Sequence, residues 1–126
     1  MCLNIMNKNV LSNHTYFLNF HAKVLFDEYN IALKNKMWAS VIILSLTIID
    51  NVLTDEKILD YIDGLDLNEL KRSKDLKWLR KRRNKILHYE GPIEGFYGSS
   101  DSVKVLKLDA ERAEKILNIG LRKIFN

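Results

Sequence analysis

The stretch 37-MWASVIILSLTIIDNVL-53 decides how this chain folds. Its first thirteen residues, Met37 to Ile49, are interrupted only by Ser40, Ser45 and Thr47 among apolar and aromatic side chains. Wound as a helix, the segment is apolar on nearly every side, which in a bundle marks the element surrounded by the others. It falls well short of the roughly 20 apolar residues that cross a bilayer. The expectation is a buried central helix and no membrane partner.

Working outward, Phe17, Phe20, Val24 and Ile31 recur at helical spacing between Asn13 and about Lys34, with Ser12 or Asn13 as a start signal. After the central segment, Thr54 or Asp55 can cap a short helix to about Ile62. Asp63-Gly64 breaks it, and Asp66 to Leu70 adds another turn. Ser73 precedes a helix to about Tyr89, which stops at Gly91-Pro92. Residues 91–102 read as an exposed loop, and 102–108 as coil or one edge strand. Asp109 is expected to cap a final helix whose stripe is Ala113, Ile116, Leu117, Gly120, Leu121 and Ile124.

The expected fold class is therefore all-α, an up-and-down bundle of four to five helices. At 126 residues and 47% hydrophobic content there is room for one core and one domain, 1–126, with residues 1–12 as a flexible lead. A domain of this size leaves much of its surface exposed and gains from association, so a homodimer is expected. The single cysteine, Cys2, makes no internal disulfide, and Met1 to Val10 carries no secretory pattern. Both point to the cytoplasm. His14 and His21 share a face without a third ligand, so neither a metal site nor a cofactor is expected.

Net charge is only +4, yet nine of the twenty Lys and Arg residues lie between Lys71 and Lys85. With about 100° per residue, Leu76, Leu79, Arg83, Ile86 and Leu87 form one stripe, with Arg83 inside an apolar face. A guanidinium there needs a carboxylate, a phosphate or a way to water, and Asp50 at the end of the central helix is the candidate partner. A second stripe, Lys77, Lys81, Asn84 and His88, is polar and positive.

The hexapeptide Arg83-Asn84-Lys85-Ile86-Leu87-His88 resembles the signature of the HEPN family, an Arg followed by a polar residue and, after a short spacer, a His. The likeness extends to the apolar central helix ending in an acidic residue, the place of Asp50. HEPN domains are small helical bundles, and many are endoribonucleases, some of them toxins paired with antitoxins. In these, two protomers bring their motifs into one cleft. The resemblance implies catalytic Arg83, Asn84 and His88, supported by Asp50, and an antitoxin partner such as a nucleotidyltransferase-type protein. One HEPN toxin group carries a modifiable tyrosine two positions after the histidine, where this chain has Glu90; Tyr89 comes one position earlier.

The residue chemistry fits that activity without a metal. An imidazole suits removal of the proton from an RNA 2′-hydroxyl, which then attacks its own phosphate and leaves a 2′,3′-cyclic end. A fixed guanidinium stabilises the charge that gathers on the phosphate oxygens. Lys77, Arg80, Lys81, Arg82 and Lys85 are the expected RNA-binding residues, and Phe96 and Tyr97 are candidates to stack on bases. Arg83 and His88 differ by about 140° around a regular helix, which favours a site shared between two chains. The alternatives are a non-catalytic HEPN-like module that holds RNA, a nucleotide or a protein partner, and a helical dimerisation module in which Arg83 forms an interface salt bridge.

Overall fold

Asn19 starts the first helix by accepting a hydrogen bond from the backbone N–H of Ala22 at 2.8 Å. The same side chain donates to Asn51 Oδ1 and Asp55 Oδ2, both at 2.8 Å, so it also ties this end to a second helix. The computed structural model describes residues 18–60, 64–89 and 91–125. Six helices occur among them: α1 (Phe20–Lys34), α2 (Trp38–Thr54), α3 (Glu56–Leu59), α4 (Gly64–Lys71), α5 (Lys74–Leu87) and α6 (Ser100–Phe125). No strand is present among the described residues. The expected start signals Ser12 and Asn13, the lead 1–12, Phe17, His14, Ile62, Asp63 and Glu90 lie outside them.

α2 is the centre of the bundle and packs against α1, α5 and α6. Val41, Ile42, Leu46, Ile48, Ile49 and Val52 are completely buried, as an element apolar all round requires. Two of its polar interruptions are satisfied within the helix: Ser45 Oγ donates to the Val41 carbonyl and Thr47 Oγ1 to that of Ile43, each at 2.7 Å. From α6, Ala113, Ile116, Leu117, Gly120, Leu121 and Ile124 face this core, as their spacing predicts. Ser73 caps α5 by accepting from the Leu76 N–H at 3.1 Å, and Asp55 caps α3 by accepting from that of Lys57 at 3.0 Å.

Four expectations are corrected. The described helices number six rather than four to five, because the turn expected at 66–70 is a helix of its own, α4. Residues 102–108 are neither coil nor strand; α6 begins at Ser100 and includes them. Asp109 consequently lies a third of the way along α6 and caps nothing, its carboxylate instead meeting an arginine of α5. In α1 the stripe Phe20, Val24 and Ile31 is exposed. Ala22, Phe26, Tyr29 and Ala32 are buried instead, the two alanines being small enough for α1 to lie close to α2.

Candidate functional site

α5 has three working faces. Leu76 and Leu79 are buried in the core, with Trp78 and Ile86 packed against it, whereas Leu87 is 53% exposed. Removing Leu87 from the apolar stripe and admitting Trp78 turns its centre from Arg83 towards Arg82. The buried guanidinium is accordingly that of Arg82, not Arg83. Its Nε donates to Asp109 Oδ2 at 2.8 Å, and Nη2 donates to the Glu94 carbonyl of the 91–99 loop. Gly95, at φ +91°, lets that loop pass over it. Arg82, expected among the RNA-binding residues, has a side chain that is only 7% exposed and held by the protein itself.

Arg83 lies on the flank that faces α2. Its Nη1 approaches Asp50 Oδ2 at 3.4 Å, the partnership expected from the position of Asp50. Arg83 Nη2 donates to Asn84 Oδ1 at 3.3 Å. The stronger claim on Asp50 is made by Arg80, whose Nη1 and Nη2 reach the two carboxylate oxygens at 3.2 and 3.1 Å. One carboxylate thus stands between two guanidiniums, leaving one positive charge uncompensated. The role of Arg80 in this clamp was not legible from periodicity, since a bidentate pair depends on how α2 and α5 cross. The helical register of Arg80 with Asn84 and His88 was its available signal.

The third face is open. Lys77, Arg80, Lys81, Asn84, Lys85 and His88 line a groove of about 550 Å³, and none of these residues is acidic. Arg83 is not among them. Of the three residues implied to be catalytic, the structure brings Asn84 and His88 to one groove and leaves Arg83 beside it on Asp50. His88 ends α5: its backbone N–H donates to the Asn84 carbonyl at 2.9 Å, while its φ of −112° and ψ of 108° leave the helical region. Its ring is exposed, flanked by exposed Leu87 and by Tyr89, which is 85% exposed. Lys81 and Lys85 form a ridge between this groove and a smaller one of about 370 Å³ over Trp78, Arg82 and Asp109. Phe96 and Tyr97 stand exposed on the 91–99 loop and are not part of either groove.

No cluster of three or more His, Cys, Asp or Glu side chains suited to a metal occurs among the described residues, and no helix there is long and apolar enough to cross a membrane. Fold and site together define an all-helical protein with a cationic groove that ends at an exposed histidine. Comparison with protein-family models, curated proteins and solved structures found no match.

Proposed function

We propose that this chain is a HEPN-like, metal-independent endoribonuclease that works as a homodimer. The observation that carries the reading is the groove itself: an imidazole, an amide and four cationic side chains in one place, with the one carboxylate beside it, Asp50, held by Arg80 and Arg83. His88 takes the proton of a 2′-hydroxyl. The 2′-oxygen then bonds to the adjacent phosphorus, the bond to the 5′-oxygen breaks, and that oxygen leaves with a proton from solvent water, while the proton taken by His88 returns to solvent. The products are a 2′,3′-cyclic phosphate and a new 5′-hydroxyl end. Asn84 orients the phosphate or the ring through its amide.

Arg83 is held on Asp50 outside the groove that contains His88, so the Arg83 of a second copy completes the cleft. Exposed Leu87 and Tyr89 on either side of His88 offer apolar area for that contact. A cytoplasmic toxin held in check by an antitoxin, such as a nucleotidyltransferase-type protein, is the setting most consistent with this chemistry.

The test is incubation of the purified chain with RNA in EDTA. Fragments ending in 2′,3′-cyclic phosphate, lost in His88→Ala, are expected. Salt-sensitive binding with no product would replace this reading with that of a non-catalytic RNA-holding module.

A further inference from the structure

The groove is longer than the chemistry at His88 requires. At 1.5 Å per residue, Arg80 and His88 are about 12 Å apart along α5, and Lys77 and His88 about 16 Å. Held on Asp50 two turns before His88, the Arg80 guanidinium is placed for a different phosphate from the one at the imidazole. What marks the far end is the state of Arg80: its side chain is 45% exposed, yet its guanidinium is fixed by two hydrogen bonds to Asp50. A long side chain left free on a surface loses rotamer freedom when it binds a ligand. Arg80 has already lost much of that freedom. It retains N–H groups beyond the two that Asp50 accepts, and Arg83 draws on the same carboxylate through Oδ2.

We propose that Arg80 is a pre-set subsite for a second phosphate, and that the groove takes single-stranded RNA of about four or more nucleotides laid along α5. This rests on the reading of the groove as an RNA site and adds to it the length and strandedness of the substrate. A single strand is required because attack needs the 2′-oxygen in line with the leaving 5′-oxygen. Stacked A-form strands hold those atoms out of line. Lys81, Asn84 and Lys85 follow the strand between the two ends, and Asp50 acts as a positioning residue through Arg80.

Binding, rather than cleavage, tests the subsite separately from the catalytic reading. Uncleavable 2′-O-methyl oligonucleotides of two, four and six nucleotides are titrated against the full chain at several salt concentrations. Affinity rising at least tenfold from two to six nucleotides is expected. Arg80→Gln should cancel most of that gain and reduce the salt slope for the hexamer by about 0.7, the loss of one phosphate contact on a single strand. Arg112, on α6 over the Trp78 ring and outside the groove, is the control, and Arg112→Gln should leave the slope unchanged. In the unaltered chain, the Arg80 Nε–H resonance should shift with the hexamer and not with the dinucleotide. Equal affinity for all three lengths, or an Arg80 resonance indifferent to the hexamer, overturns the proposal even if the chain cleaves RNA. Length-dependent binding through Arg80 without any cleavage would uphold the subsite and remove the enzyme.

Discussion

Arg82 Nε donates to Asp109 Oδ2 at 2.8 Å, which fastens the middle of α5 to the first third of α6 through a guanidinium that is nearly inaccessible to solvent. This contact holds α5 in the rotation that its apolar stripe selects, with Lys77, Arg80, Lys81 and Lys85 towards the open groove. Removing one partner strands the other in a poorly solvated place. Arg82→Gln and Asp109→Asn are each expected to lower the unfolding free energy by on the order of 3 kcal/mol, read from urea denaturation. A loss under about 1 kcal/mol would place the pair among ordinary surface contacts.

Gly95 is needed twice over in the loop that covers Arg82. Its φ of +91° disfavours a side chain, and a Cβ there would sit 2.7 Å from Leu106 Cγ and 3.2 Å from Arg82 Nη2. Gly95→Ala should cost about 1–3 kcal/mol by strain and crowding. Gly98→Ala, with a φ of +81° but open space around it, isolates the backbone part. A smaller loss at Gly98 than at Gly95, measured by thermal denaturation, is the expected order.

Asp50 is shared by two arginines but is a third exposed, so its value lies in alignment rather than stability. Asp50→Asn is expected to change the unfolding free energy by less than about 1 kcal/mol. The same substitution should slow RNA cleavage by roughly ten- to a hundredfold, because both guanidiniums lose their anchor. Equal rates for the two proteins would show that neither arginine needs Asp50 to act.

Asp55 provides the pH dependence. The Asn19 amide donating to it holds its carboxyl below the usual 3.8; partial desolvation opposes this, and the Lys57 and Ile58 N–H groups and the Lys57 charge reinforce it. A carboxyl with a depressed folded-state pKa contributes stability that is full above its unfolded value and is lost as pH falls through the folded one. The stability advantage of the native chain over Asp55→Asn should thus be constant above about pH 5 and shrink below 3.8. Urea midpoints across that range measure it, and an advantage that grew on acidification would contradict the assignment.

Much of the architecture was legible along the chain because it is set by short-range rules. Apolar residues in the 37–53 stretch and the stripe from Ala113 to Ile124 specify buried helices wherever they pack, and Ser73 and Asp55 cap because an oxygen acceptor there meets a free N–H. Asp50 as the partner of Arg83 also followed, since an acid at the end of an apolar helix has few other places to turn. Helix faces were harder: both sides of α1 carry apolar residues, and the same is true of α5 once Leu87 and Trp78 are weighed against each other. Periodicity alone cannot choose between two such faces.

Only the tertiary structure decided which arginine is buried, which two share Asp50 and which line the groove with His88. Arg80, Arg82 and Arg83 are near neighbours in one basic run, pointing about 60° to 160° apart around the helix, and nothing local ranks them. The choice is made by what each direction meets: α6 and Asp109 for Arg82, α2 and Asp50 for Arg83, and open solvent beside Asp50 for Arg80. Desolvating a guanidinium is tolerable only where a carboxylate waits, and the crossing of distant helices puts the carboxylates where they are.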